Sequence, residues 1–294
     1  MAAQDIRRWK VGSVMITRIV KTAPIKSPMS LMCPGDTPAL RQPRAGLSPY
    51  LSLHEGERRL SWHCFVVETP SHRIMVDACM GHDRQRHFDS FRGMQGDFLQ
   101  DLESAGYPLA AIDTVMCPHL HCDHVGWSTH LVNGRWMPTF RNARYLFNHI
   151  EWAHVQRLHA AGDWHGKRLP EAAQPIVDAG LADFIHPGHR IGNEVSLVPT
   201  PGHTPGHVSV RIESHSEQAV ITGDMLHHPV QSALPPKPCG FDAGAKAGQP
   251  TRVGFPSRVQ NSTACHRQPP PQPTTGSFAC EGPHWRFKTD RPAD

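Results

Sequence analysis

Apolar residues along this chain fall into short runs separated by turn residues, and the runs predict strands with helices set between them. Trp9-Lys10-Val11-Gly12 leads into an apolar, β-branched run, Val14–Val20, that predicts a strand. Two further runs, 64–68 and 73–77, flank Thr69-Pro70-Ser71-His72 and predict a hairpin. Phe98, Leu99, Leu102 and Ala105 follow helical spacing, with Gly106 placed as a C-cap, so a helix is expected over 95–106. Thr114-Val115-Met116-Cys117 predicts a buried strand that ends at Pro118, and Ala143–Phe147 predicts another. Asn148 with Glu151 has the form of an N-cap and capping box, and Trp152, Val155 and Leu158 mark the inward stripe of a helix over 149–160. A short helix follows near 171–179, then strands at Val195–Val198, Val208–Ile212 and Ala219–Thr222. This alternation of strand and helix argues for a layered α/β architecture.

Two stretches break the pattern. Residues 21–60 are rich in Pro, Ser and Gly with little periodicity, which predicts a long loop, often a flap over a pocket. Met29, Leu31, Met32 and Leu51 could line a substrate cleft there or serve as plain packing. Residues 235–294 hold 11 of the chain's 28 prolines. They are expected to form an atypical C-terminal part of the domain that begins with 1–234, with 235–272 open to a low-packing reading.

The 294 residues and 32.7 kDa suffice for a sizeable core in one or two domains. A net charge of +4 with no long run of one sign is not the footprint of a nucleic-acid binder. No apolar segment reaches the ~20 residues that span a bilayer, and the N-terminus lacks a signal-peptide core, so a cytoplasmic location is expected. The eight cysteines form no CxxC pair and are expected as reduced thiols, with Cys122 structural.

The chemistry concentrates at His119-Leu120-His121-Cys122-Asp123-His124, directly behind an apolar strand. His119 and His121 can face one centre, because a strand presents alternate residues to one side. Asp123 and His124 need a turn to reach a second position nearby. Imidazole and carboxylate suit zinc, iron, nickel or manganese. In Thr200-Pro201-Gly202-His203-Thr204-Pro205-Gly206-His207, two Pro-Gly pairs force tight turns that can aim His203. Asp224 ends a strand beside Gly223, which lets backbone approach closely. Asp77 ends another, where it could cap backbone amides or support a metal-bound histidine.

HLHCDH, TPGHTPGH about eighty residues later and ITGD together resemble the metallo-β-lactamase-fold hydrolases over roughly residues 10–230. The resemblance implies an αββα four-layer sandwich with metals at one edge. It implies that His119, His121 and His203 hold one divalent ion, that Asp123 and His124 hold a second, and that Asp224 bridges the two. Zn2+ is the expected metal, with a metal-bridging hydroxide as nucleophile. Asp77 matches the family's first motif.

β-Lactamases of this fold carry Cys at the position of Asp224, flavo-diiron oxygen reductases carry Glu at that of His121, and glyoxalase II adds a C-terminal helical domain. The long 21–60 segment and GDMLHH look more like the acyl-homoserine lactonase and organophosphate-hydrolase branch. Lactonases of that branch have Tyr three residues after the bridging Asp, where this chain has His227. His227 could donate a hydrogen bond to an oxyanion or line the pocket. The family closes its second site with a His after a helix and an apolar strand, and by position that ligand is His266. The expected activity is cleavage of a small ester, lactone or phosphotriester, with catalytic roles for Asp123, Asp224 and His227. A mononuclear iron enzyme of sulfur or redox chemistry and a catalytically impaired binding protein remain as alternatives. The expected partner is a small-molecule substrate, with a homodimer left open.

Overall fold

The computed structural model describes residues 6–21, 25–28, 51–52, 57–60, 62–81, 98–227, 231, 239–244, 247–258, 263–265, 275–281 and 284–289. Among them, two seven-stranded sheets dominate. The first runs β1 (Arg7–Val11), β2 (Val14–Val20), β3 (His63–Glu68), β4 (Arg73–Val76), β5 (Thr114–Met116), β6 (Arg144–Asn148) and β7 (Ala182–Ile185), in that spatial order. The second runs β8 (Arg190–Ile191), β9 (Val195–Pro199), β10 (Val208–Ser214), β11 (Glu217–Ile221), β12 (Thr263–Cys265), β13 (Thr275–Glu281) and β14 (His284–Thr289).

Pairing is antiparallel from β1 to β4 and parallel from β4 to β7. Parallel neighbours need a crossover, and helices appear where one is required. Helix α1 (Phe98–Ser104) lies between β4 and β5; α2 (His149–Ala160), α3 (Leu169–Ala172) and α4 (Gln174–Asp178) lie between β6 and β7. In the second sheet β11 and β12 are the parallel pair, and α5 (Gln249–Arg258) lies in their crossover.

Side-chain alternation along the first sheet separates two cores. Cys64, Val66, Met75, Val115, Tyr145 and Phe147 face the helices, against Phe98, Leu102, Val155 and Ile176. Their neighbours Phe65, Val67, Ile74, Val76, Met116 and Leu146 face the second sheet, against Leu197, Val210, Ile212, Ala219 and Ile221. A period of two therefore feeds both layers from one set of strands, which is why these runs are apolar throughout rather than alternating. The architecture is the expected αββα sandwich. No helix among the described residues is long and apolar enough to cross a membrane.

The expected strands and helices are present, with local differences. β1 is a strand of its own, joined to β2 through Gly12 at φ 57°. A hairpin of Thr129–Val132 and Arg135–Pro138 follows the HLHCDH loop and turns on Asn133-Gly134, both at positive φ. Within 21–60, the described pieces pair as a three-stranded sheet of Ile25–Pro28, Leu51–Ser52 and Glu57–Leu60, not as loop alone. Met29, Leu31 and Met32, and the side chain of Leu51, lie outside the described residues.

The HLHCDH loop is zipped to the chain leaving β4. Ala78 N–H donates to the His124 carbonyl, Gly126 N–H to Cys79 and Trp127 N–H to Ala78, at 2.9, 2.6 and 2.9 Å. A Cβ at Gly126 would stand 1.9 Å from the Gly81 nitrogen. Gly126→Ala should therefore destabilise the protein by about 1–3 kcal/mol through overpacking against backbone, seen as a lowered Tm; an unchanged Tm would contradict this close approach.

Candidate metal centre

His119, His121 and His124 leave β5 on the loop after Pro118, and His203 reaches the same place from the double Pro-Gly loop between β9 and β10. His203 Nε2 lies 3.1 Å from His119 Nε2 and 3.0 Å from His121 Nδ1. Four-coordinate zinc with Zn–N bonds of about 2.0–2.1 Å keeps its nitrogens roughly 3.3–3.4 Å apart, so this triangle is close to the size that a shared ion requires. All three rings are buried. Burial, reinforced by the neighbouring imidazoles, holds the pKa values of His119 and His121 well below the ordinary range, and burial lowers that of His203. Three neutral imidazoles with converging nitrogens are suited to binding a cation.

The second group centres on Asp224, whose backbone follows the positive-φ Gly223 at the end of β11. Its Oδ2 lies 3.2 Å from His124 Nε2, 3.4 Å from His227 Nε2 and 3.8 Å from His203 Nε2. One carboxylate oxygen thus faces ligands of both expected sites. Burial opposes the Asp224 charge, but the His124 and His227 imidazoles outweigh it and hold the carboxyl well below its usual range. Asp123 Oδ2 stands 3.5 Å from His124 Nε2 and accepts a hydrogen bond from Trp62 Nε1 at 3.4 Å. Three groups can each hold an ion: His119–His121–His203, His119–His124–Asp224 and His203–Asp224–His227. Asp123 is near the second group without completing any of the three. His266 lies outside the described residues, directly after β12.

Asp77 both caps a backbone amide and stands behind the His124 imidazole. Its Oδ2 is 2.6 Å from His124 Nδ1, and its Oδ1 accepts from Cys79 N–H at 2.7 Å. A carboxylate behind an imidazole fixes the ring's orientation and tautomer and leaves Nε2 for a cation. His227 is buried, with Nδ1 3.7 Å from Cys239 Sγ. Burial works against its charged form, but Cys239 and Asp224 prevail and its pKa is pushed up to about 9. Cys122 belongs to none of the three candidate ligand groups.

Several supporting residues carry no spacing signal in the sequence. Asp242 Oδ1 sits 3.6 Å behind His203 Nδ1, and Arg252 grips that carboxylate through both terminal nitrogens at 2.7 and 2.6 Å. The same guanidinium donates from Nε to the Met225 carbonyl at 2.8 Å, next to Asp224. His207 is no ligand: its Nε2 accepts from Asp224 N–H at 3.1 Å while Nδ1 meets Thr200 Oγ1 at 2.9 Å. Its place inside the motif was visible, but its role was not.

A metallo-beta-lactamase superfamily model matches residues 60–267. The chain belongs to the metallo-beta-lactamase superfamily. It is 27% identical over 179 residues to a probable metallo-hydrolase of Mycobacterium tuberculosis, covering 56% of this chain and 57% of that protein. It is 25% identical over 170 residues to an N-acyl homoserine lactonase of Bacillus cereus, covering 54% and 60%. The matches thus span little more than half the length of these curated relatives. Among solved structures, a hydrolase of the beta-lactamase superfamily, AbOPH, superposes with TM-score 0.81 at 22% identity over 100% of both chains. AidC, a dizinc quorum-quenching lactonase, superposes with TM-score 0.78 at 19% identity over 99% of both. At these identities the likeness is one of fold.

Proposed function

We propose that this protein is a metal-dependent hydrolase with two divalent cations, most simply Zn2+, that cleaves a small ester, lactone or phosphotriester. The observation that carries the reading is Asp224 Oδ2, which faces His124 and His203 at 3.2 and 3.8 Å and so joins the two ligand groups into one centre. The lactonase relative from Bacillus cereus and the dizinc lactonase of like fold support the choice of an ester-type bond. Bound cations supply Lewis acidity toward the carbonyl or phosphoryl oxygen and acidify the attacking water.

The chain's own groups divide the remaining work. Buried, neutral His119, His121 and His203 present their nitrogen lone pairs without first losing a proton. Asp224, held ionised, balances the charge of the cations. Asp123, whose side chain is 19% exposed, can carry a proton between the site and bulk water at its carboxylate. His227 turns Nε2 toward the same carboxylate oxygen and can donate a hydrogen bond where negative charge develops on the substrate.

The test is a panel of N-acyl homoserine lactones, aryl esters, phosphotriesters and thioesters offered to zinc-loaded protein. Turnover should appear with at least one lactone, ester or phosphotriester and vanish on chelation. Turnover of none of these three by fully loaded protein would overturn the proposal.

A further inference from the structure

Glu151 belongs to neither ligand group, yet one buried carboxylate holds both loops that supply the three imidazoles. Its side chain is 2% exposed in the first turn of α2. Oε1 accepts from Gly206 N–H at 2.6 Å, and Oε2 accepts from Leu120 N–H at 3.3 Å. Leu120 lies between His119 and His121, and Gly206 lies three residues after His203. The capping box expected of Glu151 would have turned it back to the Asn148 N–H; it points instead into the two loops. Asn148 caps the helix alone, accepting from Ile150 N–H at 3.0 Å, and its Nδ2 donates to the Gly206 carbonyl at 2.6 Å. The Gly206 residue is therefore gripped through both its N–H and its C=O. The approach is close enough to require glycine, since a Cβ there would stand 2.7 Å from the Glu151 nitrogen and 2.9 Å from its Cγ.

We infer that Glu151 is a positioning residue for the three-imidazole site. It fixes the gap between two loops far apart in sequence, so that His203 Nε2 meets its partners at 3.0–3.1 Å before any cation arrives. This rests on the reading that these imidazoles hold a metal. Its two backbone partners are N–H donors and the Thr204 hydroxyl also faces the carboxylate, so both oxygens are required as acceptors. Glu151→Gln keeps the shape but sets an amide N–H2 against one backbone N–H. The loops then lose one tether, and the cation itself must assemble the site.

The experiment is a metal-competition titration of wild type and Glu151→Gln with Co2+, read through the visible absorption of the bound ion, alongside the Tm of each chelated protein. Glu151→Gln should bind its tightest ion roughly 10–100-fold more weakly, the range for lost outer-sphere support, with altered absorption bands. Asn148→Ser guards against a variant that fails to fold. It keeps a hydroxyl cap for α2 and loses only the donor to Gly206, so affinity should fall roughly two- to tenfold, as for one neutral hydrogen bond. Wild-type affinity and spectrum in either folded variant would overturn the inference, as would losses of affinity that both chelated proteins' Tm shifts fully account for. A wild-type protein without a tight ion would instead remove the metal reading on which it rests.

Discussion

His119→Ala and His121→Ala proteins should lose hydrolysis altogether and should emerge from dialysis with less metal than wild type. Each deletion leaves two imidazoles where His203 Nε2 now meets its partners at 3.1 and 3.0 Å. Catalytic zinc sites characteristically keep three protein ligands and one open position, and two donors are too few to hold the ion there. Changes outside the ligand set cost roughly 10–100-fold in affinity or activity, so loss of a ligand should exceed that range. The check pairs metal analysis with kcat/KM on whichever substrate the panel identifies. Normal metal content and turnover in either variant would remove this site from the mechanism.

Asp224→Asn should be nearly as damaging although its shape barely changes. The backbone at this position is held independently of the carboxylate, because Asp224 N–H donates to His207 Nε2 at 3.1 Å. Behind it the Thr200 hydroxyl meets both His207 Nδ1 and Ser209 Oγ, at 2.9 and 3.0 Å, and Ser209 donates to the Thr222 carbonyl at 3.0 Å. The variant side chain should therefore stay in place while its charge is lost. Two cations close together need an anion between them, and an amide cannot balance their charge. The expected result is a kcat more than about 100-fold below wild type, beyond the range of outer-sphere changes, together with loss of one ion per chain. Retention of both ions and most of kcat would show that Asp224 does not bridge.

Strands β2–β6 and β9–β11 of the two sheets and the clustered histidines were legible because their signals are local. Buried strands such as Val14–Val20 are continuous apolar runs, and HLHCDH compresses four candidate ligands into six residues behind one of them. The supporting residues were not legible, because each acts through a contact that bridges distant parts of the chain. Glu151 satisfied a local pattern, the capping box, while its carboxylate was claimed by backbone 31 and 55 residues away. Asp242 and Arg252 lie in the proline-rich C-terminal part, where composition argued against tight packing, yet both are buried behind His203 and Met225. β1 was only partly visible because its exposed Arg8 and Lys10 face solvent from a sheet edge. The Thr129–Val132 hairpin had a readable signal in Asn133-Gly134 that the neighbouring metal motif overshadowed.

The most direct test of the central claim is the metal stoichiometry of purified wild-type protein before and after dialysis, followed by zinc titration. The account predicts two zinc-type ions per chain at saturation. One should be tight, at the three imidazoles, and one weaker, at His124, Asp123 and Asp224, requiring excess metal or His266 to stay bound. One iron per chain, or metal that never exceeds a small fraction of the protein, would contradict it.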